Sequence, residues 1–280
     1  MMHRFRRTRS AAFALSFIAS CAAHAQGEPA PAPSGAALFT YRDAILSAGI
    51  VATTVLVRPA DQHYAARLQD SSTQANAKLR RLAAFVRTTA DPGSYIIGTT
   101  MYAVGRLSDN DRLAQLGLHG TEALLVGTVT ASALKGVFGR QRPSVRPQDA
   151  NSFALFRGFG SDHYRSFPSG HTVAAFAAAA SVTSEMAGWW PDSRWIIGPA
   201  MYGGAALVGV SRMYNNRHWA SDAIIGAGIG TFAGLKVVRY HRAHPRTGFD
   251  RWLLAGSLVP APNGGHALRW SVMPDFSHRQ

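Results

Sequence analysis

The sequence is poor in cysteine, in lysine and in acidic residues. Its only cysteine is Cys21, so the chain can form no internal disulfide. There are 15 acidic residues against 29 basic ones, of which three are lysines, and the formal net charge is +14. A lysine-rich tail and basic runs interleaved with aromatic residues are both missing, so we expect no nucleic-acid partner. The positive charge instead favours an anionic membrane surface or an anionic small substrate.

Long uncharged segments are also scarce. Four uncharged stretches in the body of the chain, 44–57, 123–134, 195–211 and 223–235, have 12 to 17 residues. A helix needs about 20 apolar residues to cross a bilayer, and the mean hydropathy of the chain is −0.03. We therefore expect a soluble bundle that can contact a membrane peripherally, and embedding in the inner membrane is the alternative.

The first 25 residues have the layout of a secretory signal peptide. Four arginines precede an uncharged, mostly apolar stretch at 11–23, and Ala23-His24-Ala25 is a small-x-small cleavage site. We therefore expect an exported, periplasmic protein with a signal peptide at 1–25. The alternative is a lipoprotein anchored through Cys21, because Ile18-Ala19-Ser20-Cys21 resembles the lipobox of bacterial lipoproteins.

The rest of the chain divides by composition into a linker, a helical body and a tail. Residues 26–40 form a Pro/Ala-rich linker. Apolar residues in the N-terminal region 41–110 and the core 111–245 lack the alternation of strands, so both segments are predicted to be helical. In the tail, 246–280, alternating apolar residues after Asn263-Gly264-Gly265 indicate a small β-hairpin. The predicted fold class is therefore all-α, a helical bundle with a C-terminal hairpin.

Three segments of the core carry side chains suited to phosphate chemistry. They are Lys135 with Arg142, then Ser169-Gly170-His171 after Pro168, and then Arg212 with His218 and Asp222. His218 and Asp222 lie four residues apart and so share one face of a helix. The carboxylate there can accept the proton of one ring nitrogen and leave the other nitrogen free to attack phosphorus. Such a pair is more often a surface hydrogen bond, but the other two segments favour the catalytic interpretation.

The remaining residues are suited to holding a phosphate group. Ser169 and Gly170 precede a predicted helix, whose first N–H groups attract a phosphate oxygen, and glycine lets the backbone come close. Lys135, Arg142 and Arg212 supply fixed positive charge for the oxygens of a transferring phosphoryl group. Three cations can take the role that metal ions play in other phosphatases, so we expect no metal and no cofactor.

These segments resemble the signature of the type 2 phosphatidic acid phosphatase and vanadium haloperoxidase superfamily. The pattern is K-x6-RP, PSGH and SR-x5-H-x3-D, and the sequence follows it without departure from Lys135 to Asp222. The resemblance implies an all-helical bundle with His218 as nucleophile. It assigns to His171 the protonation of the leaving alkoxide and the later activation of water. It also implies that vanadate binds in place of phosphate.

The predicted function is that of a metal-independent phosphoester hydrolase with a phosphohistidine intermediate, from the bacterial exported phosphatase branch. The substrate stays open between a phosphorylated small molecule and a lipid phosphate or diphosphate. Apolar side chains in 144–165 could form a lip for a lipid tail or could simply pack. Two alternatives are a vanadium-dependent haloperoxidase, for which the chain is short, and a non-catalytic envelope binding protein, against which the intact motifs argue. The sequence does not predict the oligomeric state.

Overall fold

The computed structural model of the protein describes residues 37–244 and the backbone of 256–260 and 266–270. The predicted signal peptide at 1–25 and most of the linker lie outside these residues. The helices are α1 (Tyr41–Val57), α2 (Asp61–Leu68), α3 (Ser71–Ala75), α4 (Ala77–Thr88), α5 (Ser94–Leu107), α6 (Asp111–Phe138), α7 (Gly170–Trp189), α8 (Arg194–Tyr214) and α9 (Ala220–Ala243). Within the described residues the all-α bundle is confirmed.

Side-chain caps set several of the helix boundaries. Asp70 and Asn76 accept hydrogen bonds from the first backbone N–H groups of α3 and α4, and Asn110 does the same for α6. Gly139 ends α6 with a φ of 54° in the left-handed region. A Cβ at Gly139 would come within 1.9 Å of the Ala154 carbonyl oxygen, so the chain can turn here only with glycine. This turn directs 140–142 back toward the bundle.

Helix α7 lies at the centre of the bundle, packed against α6, α8 and α9. Its side chains Val173, Ala177 and Ala180 are fully buried. Small residues let the neighbouring helices approach the α7 backbone closely. Three of the four glycines of α9 face α7, and a Cβ at Gly230 would lie 2.2 Å from the Val173 carbonyl oxygen, whereas Gly228 faces Ile50 of α1. They are therefore packing positions within a helix and not part of a nucleotide loop.

The contact between α9 and α7 predicts a large effect for a small substitution. Gly230→Ala should lower the free energy of unfolding by about 1–3 kcal/mol, because the added methyl group meets the α7 backbone and forces the helices apart. Gly204→Ala in α8 is the matched control, since nothing lies within 4 Å of its added Cβ, and alanine favours the helix. Thermal unfolding followed by circular dichroism compares the two. Equal midpoints for both variants would contradict the packing described here.

At the end of the bundle formed by the start of α6 and the ends of α7 and α9, two histidines are stacked face to face. The rings of His119 and His241 are 3.9 Å apart with an interplanar angle of 9°. His119 pairs with Glu185 at 2.6 Å and His241 pairs with Glu122 at 2.5 Å. Each ring therefore has its own carboxylate, and the two pairs tie the three helices together at this end.

The outer faces of several helices expose apolar side chains. On α1, Ile45, Val51, Val55 and Leu56 are 53–72% exposed, and α5, α6 and α8 expose further aliphatic residues. Within the described residues, two helical stretches could cross a membrane by length and composition. They are Tyr41–Leu68, with 28 residues and 6% of its apolar window buried, and Ala220–Ala243, with 24 residues and 56% buried.

The expectation that no stretch reaches spanning length is therefore wrong. A count of uncharged residues breaks the first stretch at Arg58 and Asp61, whereas the helix continues through both by way of the turn Arg58–Ala60. The core helix of a soluble protein passes the same test of length and composition, so the mostly buried α9 says little. The exposed α1 is the stronger indication of membrane contact.

Two strands are present in the tail. β1 (Gly256–Pro260) and β2 (His266–Trp270) pair antiparallel, with Leu258 opposite Leu268. They lie within 246–280, where the sequence predicts a hairpin. The division of the chain into an N-terminal helical region, a core and a tail stays a prediction, although α5 ends at Leu107 and α6 begins at Asp111, on either side of the proposed boundary.

Candidate active site

The three sequence segments meet at one end of the bundle. There the last turns of α6 and α8 bring Lys135 and Arg212 toward the first turns of α7 and α9. The Ser169 backbone N–H, just before α7, donates to the Asp222 carbonyl oxygen of α9 at 3.0 Å and joins the two helix starts. The predicted site residues thus come together, and all except His171 and Gly170 are buried.

His218 has one ring nitrogen engaged and the other available. Its Nδ1 lies 2.6 Å from the carbonyl oxygen of Ser166, an acceptor only, so Nδ1 carries the proton and donates it. This leaves Nε2 unprotonated for attack. Burial, and then the positive charges of Lys135 and Arg142, hold the pKa of His218 well below its usual value. The free ring is therefore neutral, as a nucleophile must be.

Asp222 does not accept the proton of His218 directly, as its spacing suggested. Its Oδ2 is 3.9 Å from the His218 Nδ1, too far for a hydrogen bond. That oxygen accepts instead from the Ser166 hydroxyl at 2.5 Å and from the Trp219 backbone N–H at 2.9 Å. The reason is position, because Asp222 is the third residue of α9 and caps the start of its own helix. Ser166 thus contacts both members of the pair.

The three predicted phosphate-binding cations are crowded and poorly neutralised. The Nζ of Lys135 donates to the carbonyl oxygens of Arg165, at 3.0 Å, and Pro168. Burial and the nearby Arg142 lower the pKa of Lys135 to about 7. Burial and several neighbouring arginines lower the pKa of Arg212 to about 10. Its buried Nε has no hydrogen-bond partner among the described residues, so an anion would complete this site.

Arg142 is the one cation of the three with a carboxylate partner. Its Nη2 donates to Asp162 Oδ1 at 2.7 Å and its Nε donates to the Asp162 carbonyl oxygen at 2.8 Å. Arg217 adds a second contact to Asp162, at 3.2 Å. The Asp162 side chain is 60% exposed, so it holds Arg142 from the rim of the pocket.

The start of α7 offers hydrogen-bond donors to the same space. Thr172 donates its hydroxyl to Ser169 Oγ at 2.8 Å, which leaves the Ser169 hydroxyl hydrogen free to donate. A Cβ at Gly170 would make only an ordinary contact, 3.5 Å from Lys135 Cε. Neighbouring side chains therefore leave room for alanine here, and any need for glycine would come from the bound anion.

His171 lies at the rim. Its side chain is 22% exposed and its Nδ1 is 3.8 Å from Asp91 Oδ2, in the turn between α4 and α5. Burial, and then the charges of Arg212 and Arg87, lower the pKa of His171 to about 3 in the free site. A bound phosphate would oppose those positive charges and raise this pKa, which a general acid requires.

The Lys135 pKa gives a testable pH dependence. A group with a pKa lowered to about 7 carries its charge below that pH and loses it above. The affinity for sulfate, which does not titrate in this range, should therefore be constant below pH 7 and fall by up to about tenfold per unit above it. Calorimetric titration measures this. Lys135→Gln should bind more weakly at pH 6 and show a flat profile, and a slope retained in that variant would contradict the assignment.

Several residues at the site were missed by the sequence analysis. Ser166 lies two residues before the PSGH motif and was given no role, and Arg140 lies between Lys135 and Arg142 without belonging to the pattern. Asp61 lies 160 residues from its partner Ser221, so no linear signal could have found it. Within the described residues no group of three or more His, Cys, Asp or Glu side chains could hold a metal ion.

The part of the chain that forms this site matches a known protein family. Residues 118–246, which carry all three segments, match the PAP2 superfamily. This part of the chain belongs to the PAP2 superfamily. The resemblance predicted from the signature residues is confirmed at that level.

Several known proteins are similar to parts of this chain. A lipid A 1-phosphatase of Porphyromonas gingivalis is 39% identical over 112 residues, which are 40% of this chain. The chain spans only 20% of that relative's length. LpxE of Aquifex aeolicus overlaps 60% of this chain and 98% of its own at 24% identity, with a TM-score of 0.36. A phosphatidylglycerolphosphate phosphatase of Bacillus subtilis overlaps 75% and 100% at 18% identity, also with a TM-score of 0.36.

Proposed function

We propose that this protein is a metal-independent phosphatase that hydrolyses a lipid phosphate through a phosphohistidine intermediate. The observation that carries the proposal is the unpartnered Nε of Arg212, buried beside Lys135 and Arg142. Buried positive charges without counterions are costly, and a phosphate group would neutralise them. The free Nε2 of His218 belongs to the same cluster, since Lys135, Arg142 and Arg212 all act on its pKa.

The chemistry follows from the hydrogen bonds of His218. Nε2 attacks phosphorus in line while the bond from phosphorus to the ester oxygen breaks, and His171 gives its proton to the leaving alkoxide. The phosphorylated ring is positively charged, and its Nδ1–H stays on the Ser166 carbonyl oxygen. Water then attacks the phosphohistidine and gives a proton to His171, which releases phosphate and restores a neutral His218. The cations stabilise the charge on the transferring group in both steps.

A lipid substrate is supported by the surroundings of the site. A cavity of about 870 Å³ runs between α1, α6 and α9, and its lining includes Phe138, Phe153 and Phe167 close to the motif segments. Phe153 belongs to the segment 144–165, where Leu155, Phe156 and Phe159 are 64–65% exposed. The similarity to a protein named as a lipid A 1-phosphatase also favours a lipid phosphate. These features support the lipid-lip interpretation of that segment.

The envelope is the setting that fits this substrate. The exposed apolar side chains of α1 favour contact between this helix and a membrane. The signal peptide predicted at 1–25 and the competing lipid anchor at Cys21 lie outside the described residues, so export to the periplasm stays a prediction. Cell fractionation of the full chain, with and without residues 1–25, tests it.

The proposed function is tested by phosphate release in the presence of EDTA. The purified full chain is given an aryl phosphate, detergent-dispersed phosphatidic acid, a prenyl diphosphate and lipid A. Faster release from a lipid than from the aryl phosphate is the expected result. The reverse order would favour a small soluble substrate. No release from any of them, together with halide oxidation after vanadate loading, would overturn the proposal in favour of a haloperoxidase.

A further inference from the structure

A chain of buried ions lies directly behind the proposed nucleophile. Arg140, which is 1% exposed, donates from Nη1 to Asp222 Oδ1 at 2.5 Å and from Nη2 to Asp61 Oδ2 at 2.7 Å. Both carboxylates are fully buried. The remaining guanidinium donors are also used, on Ser221 Oγ and the Ala150 carbonyl oxygen. Arg140 is therefore fixed between the two acids.

Asp61 is fixed as firmly as the arginine. As the first residue of α2, it accepts from the Ser221 backbone N–H at 2.8 Å and from the Ser221 hydroxyl at 2.5 Å. Ser221 is the second residue of α9, so the carboxylates of Asp61 and Asp222 both lie at the start of this helix. Asp61 comes from outside the segment that matches the PAP2 superfamily.

The charges in this group do not balance. Two carboxylates face one guanidinium, which leaves one net negative charge on a fully buried group whose Asp222 lies 3.9 Å from His218 Nδ1. The Arg140–Asp222 pair alone is neutral, so Asp61 accounts for the excess. During attack on phosphorus the His218 ring becomes positive. A buried negative charge stabilises the positive ring and not the neutral ring of the free protein. Because this stabilisation is confined to the transition state, it raises kcat.

We infer that Asp61 is a positioning residue for the proposed reaction, acting through Arg140 and Asp222 to stabilise the positive His218 ring. The inference rests on the proposed nucleophile. It assigns Asp61 no contact with the substrate, because the hydrogen bonds of its carboxylate go to Arg140 and Ser221. Binding of a free anion should therefore not depend on Asp61.

Asp61→Asn is the informative variant, because the amide keeps the shape and one acceptor oxygen and removes the charge. Its NH2 group replaces one of the two oxygens that accept from Arg140 and Ser221. We expect kcat to fall about 10- to 100-fold, the range seen when a group that orients a functional histidine is lost. KM should stay within about twofold, since the substrate contacts are unchanged. Asp61→Glu, which restores the charge, should recover part of kcat. Asp70→Asn is the matched control, an exposed helix cap whose carboxylate accepts from the Ser72 backbone N–H.

A binding measurement separates this inference from the proposed function. Orthovanadate can accept a bond from Nε2, which makes the ring positive, whereas inorganic phosphate binds only through hydrogen bonds and charge. Asp61→Asn should weaken vanadate at least about tenfold and leave phosphate affinity unchanged. If Asp61→Asn weakens only vanadate but the wild type hydrolyses no phosphoester, the proposed phosphatase function is overturned and the inference about Asp61 is not. The inference would be overturned if Asp61→Asn lost affinity equally for both anions, lost affinity for neither, or failed to fold. Each of these results would show that Asp61 is merely structural.

Discussion

Replacement of His218 with alanine should lower phosphate release by about 10⁴-fold or more, the scale at which removal of a catalytic nucleophile acts. The loss should be in kcat. Anion binding should persist, because Lys135, Arg142 and Arg212 make no recorded hydrogen bond to the His218 side chain. Rapid-quench labelling with a substrate carrying ³²P in the transferred phosphoryl group should give a wild-type adduct that is stable to base and labile to acid, as a phosphohistidine is. The His218→Ala protein should give none.

The control for this substitution is His63→Ala, which removes an exposed histidine outside the motifs. Its phosphate release should match the wild type. Substantial release by His218→Ala, or an adduct with the opposite stability, would assign the nucleophile to another side chain.

His171→Ala distinguishes the roles of the two histidines. This variant should still form the adduct from a substrate with a good leaving group, such as an aryl phosphate. It should then accumulate the adduct, because the step that it slows most is activation of water.

Linear spacing predicted the residues of the site because each motif segment lies at one helix end. Lys135 and Arg212 fall in the last turns of α6 and α8, Ser169 directly precedes α7, and His218 lies two residues before α9. A helix end is specified locally, by caps, glycine and the break in apolar spacing. Packing the four ends together needs only that the helices form one bundle. The identity of the residues at the site was therefore accessible from the sequence.

The connections between those residues were not accessible in the same way. The spacing of His218 and Asp222 predicts a shared helix face, yet His218 lies before the first turn of α9 and its ring turns to the Ser166 carbonyl oxygen. The choice depends on the path of the loop that carries Ser166, which no periodicity describes. Asp61 is the extreme case, since α2 reaches Ser221 only through the tertiary fold.

The membrane question shows a further limit of sequence patterns. A count of uncharged residues underestimates the length of a helix that contains charged residues with hydrogen-bond partners elsewhere in the fold. Asp61, in the stretch Tyr41–Leu68, is such a residue, and its partners are Arg140 and Ser221. Which face of a helix is buried is also a property of its neighbours. Three of the four glycines of α9 meet α7, whereas α1 leaves most of its apolar residues exposed. Composition alone could not distinguish these two helices.

Arg212→Ala should produce the second largest loss, about 10³-fold in kcat/KM, within the range for removal of a charged group that stabilises a transferring phosphoryl group. Its buried Nε donates to no acceptor among the described residues, so a phosphate group of the substrate would be its acceptor. Phosphate affinity should fall together with kcat, because the proposed contact between Arg212 and the anion would be present in the ground state and in the transition state. Inhibition by phosphate and initial rates on the best substrate measure the two effects.

Arg212→Lys distinguishes charge from geometry at this position. Lysine keeps the positive charge but offers no planar fork, so if paired hydrogen bonds to the phosphate oxygens matter it should recover only a small part of the lost rate. Arg146→Ala is the control, since that arginine is 59% exposed and outside the signature. Removal of a buried charge that neighbouring arginines repel should also make the empty Arg212→Ala protein no less stable to heat than the wild type, because burial and those arginines lower the pKa of Arg212 to about 10. If Arg212→Ala were both less active and clearly less stable to heat, Arg212 would support the fold. Its proposed role in binding phosphate would then have to be abandoned.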